Sequence, residues 1–174
     1  IIRSGVEVCD DGNRVNTDAC TNSCRRAVCG DGIVSPSNSE VCDDGNTVSR
    51  DGCSDMCMQA ADAELGVLEV TPVAGSQNLS YQMRVTYRET NHVIVNYDFS
   101  GPVTLINSSV FGPGTNSCTA STPTRIVCTY IDGRISTTTL VVAPHYYGPL
   151  TTTSRVVGAT PADTVASNNT QLVT

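Results

Sequence analysis

The chain has 174 residues, a formal net charge of −7 and nine cysteines, and every one of its ten cationic side chains is arginine. An acidic chain without a basic patch argues against a nucleic-acid-binding class, and no apolar run reaches the ~20 residues of a membrane span. Seven cysteines lie between residues 9 and 57. A stretch that short buries little apolar surface, so cross-links or metal must hold it. Disulfides persist outside the reducing cytosol, which points to a secreted or cell-surface location.

Read from its start, the chain repeats itself at an offset of 33 residues. Glu7-Val8-Cys9-Asp10-Asp11-Gly12-Asn13 returns as Glu40-Val41-Cys42-Asp43-Asp44-Gly45-Asn46. Asp18-Ala19-Cys20 returns as Asp51-Gly52-Cys53, and Cys24 as Cys57. The second copy opens on Cys29-Gly30-Asp31-Gly32, which has no counterpart ahead of Cys9. The sequence therefore predicts a truncated repeat over 1–28 and a complete repeat over 29–58, with Ile1 following a missing Cys-Gly-Asp-Gly. Ala19 replaces the glycine at Gly52, so a turn needing φ > 0 would be strained in the first copy.

The string from Cys29 to Cys57 resembles the myxobacterial-type cysteine-rich repeat, which occurs in tandem in bacterial surface and secreted proteins and singly in some animal secreted proteins. The resemblance covers residues 1 to about 58 and implies a stapled extracellular module. Spacing does not give the connectivity: the four cysteines of a complete repeat (Cys29, Cys42, Cys53, Cys57) allow three pairings. The first copy holds only Cys9, Cys20 and Cys24, so one of these lacks its partner, or bonds another molecule. Zinc is the weaker alternative for Cys20/Cys24 and Cys53/Cys57, because it requires reduced thiolates.

Each copy also concentrates oxygen donors. The second has Asp31, Glu40, Asp43, Asp44, Asn46 and Asp51; the first has Glu7, Asp10, Asp11, Asn13 and Asp18. Carboxylates and amides on a sharply turning chain are the ligand set of calcium, and so many like charges in a small module repel one another unless a cation or water intervenes. The sequence predicts calcium, first in the second copy. The competing reading is that Asp, Asn and Gly recur here as turn formers.

A polar, alanine-rich linker is expected over 59–64, and the texture then changes. Leu79, Tyr81, Met83, Val85 and Tyr87 alternate with polar residues, the period of a half-buried strand. Similar runs follow at Val93-Val95-Tyr97-Phe99, Val103-Leu105, Ile126-Cys128-Tyr130, Thr139-Val141-Ala143, around Arg155-Val156-Val157, and at Thr170-Leu172-Thr174, separated by turns such as Gly112-Pro113-Gly114 and Asp132-Gly133. Seven or so strands predict an immunoglobulin-like β-sandwich over 65–174. The fold class is thus mainly β: small disulfide-rich repeats plus a sandwich. Cys118 and Cys128 flank a hairpin and are each other's only available partners in this half.

The second half resembles the conserved repeat β-sandwich of bacterial surface proteins. The matching features are Ala63-Glu64-Leu65-Gly66-Val67-Leu68, the Leu79–Val85 strand, the cysteine pair, and Ala166-Ser167-Asn168-Asn169-Thr170. The Asn-x-Gly-Pro usual after the second strand is absent, and Asn91-His92-Val93 stands there.

No nucleophile motif or phosphate-binding glycine loop occurs. His92 and His145 lie in no metal-binding spacing, and the acids sit in loops too small to build a substrate cleft. Asn78, Asn107 and Asn168 begin Asn-x-Ser/Thr triplets, which arise often by chance. The sequence predicts a non-enzymatic building block of an extracellular fibre or appendage, partnered by copies of itself or neighbouring repeats, with Val6-Glu7-Val8 or Gln171-Leu172-Val173 as candidate edge strands for joining. The rivals are an adhesion or ligand-binding module, for which Tyr146-Tyr147 is the one aromatic hint, and the accessory region of a large secreted enzyme.

Overall fold

The computed structural model describes residues 5–66, 68–132, 134–145 and 148–173. The expectations placed on Ile1-Ile2, Val67, Gly133, Tyr146-Tyr147 and Thr174 lie outside these residues. The chain divides into two compact units between Ala61 and Asp62. The expected linker over 59–64 is shared between them. Ala60 bridges Cys53, and the Ala61 amide donates to the Gly52 carbonyl in the first unit. Asp62–Glu64 belong to the first strand of the second.

The first unit contains both cysteine-rich copies and almost no regular structure. It has a 3₁₀ turn at Pro36–Asn38 and two isolated bridges, Cys20 with Arg26 and Cys53 with Ala60. Among its described residues the buried apolar side chains are only Cys20, Ala27, Cys53, Cys57 and Ala61, while Val8, Val15, Val41, Val48, Met56 and Met58 are exposed. Apolar burial this slight leaves the fold to disulfides and hydrogen bonds. Hydrogen bonds tie the copies, among them that of the Ser35 hydroxyl to the Asp18 carbonyl at 2.9 Å and that of the Asn38 side-chain amide to the Ala27 carbonyl at 2.7 Å. The expected strain at Ala19 does not arise. Gly52 has φ +147°, but Ala19 is not among the residues of positive φ, so the first copy turns differently there.

The second unit has ten strands among the described residues: β1 Asp62–Leu65, β2 Glu69–Pro72, β3 Leu79–Arg88, β4 His92–Phe99, β5 Val103–Phe111, β6 Thr115–Thr122, β7 Arg125–Ile131, β8 Ile135–Pro144, β9 Thr152–Thr160 and β10 Thr170–Val173. β1 and β2 pair in turn along β3, which is followed by β8 and β5; the other sheet runs β10-β9-β4-β7-β6. All pairs are antiparallel. Alternation puts Tyr81, Met83, Val85 and Tyr87 of β3 opposite Val93, Val95, Tyr97 and Phe99 of β4 in one core, closed by Leu140, Val142, Ile126 and Tyr130. Tyr81 meets Phe99 edge-on across the sheets, with ring centroids 5.4 Å apart. The result is a β-sandwich.

Two expectations are corrected here. On β8 the inner face is Ser136, Thr138, Leu140 and Val142, so Thr139, Val141 and Ala143 point outward, one residue out of phase with the reading from sequence. Of the two proposed joining segments, Val6-Glu7-Val8 lies outside any strand, with the Val8 amide donating to the Cys24 carbonyl, whereas Gln171-Leu172-Val173 is in β10, which pairs with β9 and is the outermost strand of its sheet. Cys118 and Cys128 face each other across β6 and β7 and are bonded, as expected.

Candidate functional site

The disulfides of the first unit are Cys9–Cys20, Cys42–Cys53 and Cys29–Cys57, and Cys24 is free. Cys9–Cys20 and Cys42–Cys53 are equivalent under the 33-residue offset, each closing 11 residues. Cys29–Cys57 encloses Cys42–Cys53, which answers the connectivity that spacing leaves open. Three of the four cysteines considered for zinc are oxidised, so they offer no thiolate.

The acids are held by the backbone around them. Asp43 is the hub of the second copy. Its carboxylate accepts from the amides of Gly30 at 3.0 Å, Asp31 at 3.2 Å, Gly32 at 3.0 Å and Gly45 at 2.8 Å. Glycine is required at Gly30, where φ is +93° and a Cβ would meet Thr47 Cγ2 at 3.0 Å and the Asn46 carbonyl carbon at 3.1 Å. Asp31 accepts from Val28 and Ile33, Asp44 from the Cys53 amide, and buried Glu40 from the Ser35 amide at 2.6 Å. The Asn46 side chain donates to Asp51 at 3.0 Å, and its oxygen accepts from Val48.

The first copy repeats part of this network. Asn13 donates to Asp18 at 2.9 Å and caps the Val15 amide; Asp10 accepts from Gly12 and Asp11 from Asn13. Glu7 is half-buried. These are the Asx turns of the turn-former reading. Among the described residues no three His, Cys, Asp or Glu side chains gather where they could share an ion. Of the eleven sequence-predicted ligands, six lie in the second copy and five in the first. Sequence reasoning missed Ser35, whose amide and hydroxyl anchor Glu40 and Asp18; nothing in its local pattern marks it.

Asp43 and Asp18 are among the carboxyls perturbed by this bonding. Burial pushes Asp43 up, but the amides of Gly45, Gly32, Gly30 and Asp31 outweigh it and hold the carboxyl below its ordinary value. The Asn13 side chain, then the Cys20 amide, lower Asp18. A carboxyl depressed in the folded state contributes stability that is present above the unfolded value near 3.9 and is lost as pH falls through the folded value. The second copy is thus expected to keep its stability down to about pH 4 and lose it below. Chemical denaturation from pH 7 to pH 2 checks this, and Asp43→Asn should flatten the acid limb.

Both histidines belong to the second unit. His92 begins β4, and His145 hydrogen-bonds Thr104. Of the glycosylation triplets, Asn107 is exposed on edge strand β5, whereas Asn168 is part-buried and donates to Asp62.

With this geometry in view, one comparison is informative. A family model described as a domain of unknown function, DUF4215, matches residues 21–58. The match spans the complete second copy and begins just ahead of Cys24, so a cysteine-rich repeat-type domain accounts for this part of the chain. No curated protein matches the chain.

Proposed function

We propose that the chain is a non-catalytic structural segment of a secreted or cell-surface bacterial protein, a building block of an extracellular fibre or appendage. On this reading the cysteine-rich copies are repeats of the myxobacterial type, and the sandwich is an immunoglobulin-like unit that docks to copies of itself or to neighbouring repeats. The observation that carries the reading is the use of the polar groups. The acids of the second copy are engaged by the chain's own amides, and three disulfides lock the first unit without a large apolar core. Such a unit supplies shape and durability. Sedimentation of the purified chain over a rising concentration series is expected to show self-association; a monomer throughout would overturn the fibre reading. Binding to a glycan or protein panel would favour an adhesion module, and a catalytic domain in the same gene would favour an accessory region of a secreted enzyme.

Calcium stabilisation of the cysteine-rich copies is a further part of this reading. Its favouring observation is the excess of ten acids over five arginines in residues 1–60, which a divalent cation would relieve. On this reading the melting temperature of the first unit rises with calcium concentration. An unchanged midpoint after chelation, with no heat on titration, removes it.

A further inference from the structure

The two lateral sides of the sandwich are built differently. On one side the edges are short and guarded. β1, β2 and β10 have four residues each, β1 carries Asp62 and Glu64, and β2 carries Glu69 and Pro72. Short length, charge and proline are the devices that keep a free strand edge from pairing with another chain. On the other side lie β5 and β6, the outermost strands of their sheets, nine and eight residues long. No charged side chain occurs between Asp98 and Arg125, and neither strand contains proline. Each is interrupted by one bulge. The bulge in β5 leaves Ile106 out of register with β8, and Ile106 and Phe111 are 54% and 86% exposed. Val103, Leu105 and Val110 of the same strand pack on the core, so the strand is firmly seated while its outer edge is open.

We propose that β5 is the interface at which two copies of this chain join, side by side and antiparallel about a two-fold axis. The backbone amides and carbonyls of the open edge supply the hydrogen bonds, and Ile106 and Phe111 supply apolar contact. Charge selects a second copy and this side. Each copy has a formal net charge of −7, so two copies meet at least electrostatic cost where neither brings a charge. A two-fold axis normal to the sheets also brings β6 beside β6, so both sheets contribute to the joint. A joint about 30 Å long and, with side chains, about 20 Å deep covers roughly 600 Å² on each copy, on the order of 1,200 Å² in all, which reaches the size of a stable interface. The inference rests on the reading that the sandwich docks to copies of itself, and it names the surface. A two-fold contact closes on itself and makes a pair; growth into a fibre needs a second surface.

Sedimentation of the full 174-residue chain at rising concentration reads the pairing. The unaltered chain is expected to form a dimer. Ser109→Asp brings one carboxylate from each copy into the joint and should raise the dimer dissociation constant about tenfold or more, with part of the loss recovered in high salt. Phe111→Ala, which adds no charge, should weaken the dimer several-fold. Thr170→Asp, on the exposed face of β10, should leave it unchanged. Ser109, Phe111 and Thr170 are all exposed, so the urea midpoint of the sandwich should hold in every variant. Association that Ser109→Asp and Phe111→Ala leave intact, or that Thr170→Asp weakens as much, overturns the β5 interface and leaves the fibre reading standing. A dimer weakened by the two β5 changes that grows no further supports the interface and removes the fibre reading. A monomer at every concentration overturns both.

Discussion

Replacing Cys29 and Cys57 together by alanine is expected to unfold the second repeat, at a cost of roughly 3–4 kcal/mol by loop entropy. The bond closes 28 residues, and the shorter Cys42–Cys53 bond inside it closes 11. The unit has no reserve against this loss, since its buried apolar side chains are small cysteines and alanines. The bond also positions Gly30, Asp31 and Gly32 over Asp43, so releasing Cys29 releases three hydrogen bonds to one carboxylate. Changing both cysteines avoids a stray thiol. Amide hydrogen exchange is the measurement: protection at Cys53 and Cys57 should vanish, while that of β3 and β4 persists. Retained protection at Cys57 would mean that the hydrogen bonds alone hold the repeat.

The second large effect is expected at Tyr130, where Tyr130→Ala should cost about 3–5 kcal/mol in the sandwich. The ring is fully buried and lies 6.3 Å from that of Tyr87, centroid to centroid. Its hydroxyl shares hydrogen bonds with Thr138 at 2.6 Å and with Tyr97 at 3.3 Å, joining the two sheets through their polar atoms. Burial, then the neighbouring Tyr130, pushes the Tyr97 hydroxyl well above its ordinary range, so this chain of hydroxyls stays protonated and bonded at neutral pH. Tyr130→Phe separates the contributions. It keeps the ring and strands two hydroxyls, and should cost about 1–3 kcal/mol. Urea denaturation of both variants gives the comparison. Equal losses would mean that the hydroxyls, and not the packing, carry the effect.

The parts of this fold that were legible in sequence are those where period and side-chain size agree. β3 and β4 alternate large apolar residues with polar ones, and both are strands with that face inward. β1 was hidden because its inward positions, Ala63 and Leu65, begin on a small residue inside an alanine-rich stretch. β6 shows in the sequence only as one side of the hairpin flanked by Cys118 and Cys128, because Thr115–Thr122 carries no large apolar side chain; it is an edge strand, held by its pairing with β7 and the Cys118–Cys128 bond. β8 reads with the wrong face because Val141 and Val142 are equally apolar; its inner face is Ser136, Thr138, Leu140 and Val142, with the Ser136 and Thr138 hydroxyls bonded to Tyr87 and Tyr130. In the cysteine-rich unit the repeat and its odd cysteine could be read directly. What each carboxylate touches could not, because calcium ligation and amide capping draw on the same residue types, and only three-dimensional placement separates them.

The enclosing Cys29–Cys57 bond also governs how the repeat responds to tension. A force entering at Cys29 passes to Cys57 through sulfur, bypassing the loop between them. Twenty-eight residues drawn out would span roughly 95 Å, yet the bond fixes their ends at a Cα separation of 5.6 Å. Nearly all the contour length of the repeat is thereby withheld from stretching. Under an oxidising exterior such a module transmits a pull almost without lengthening, and a reductant would turn it into a compliant tether.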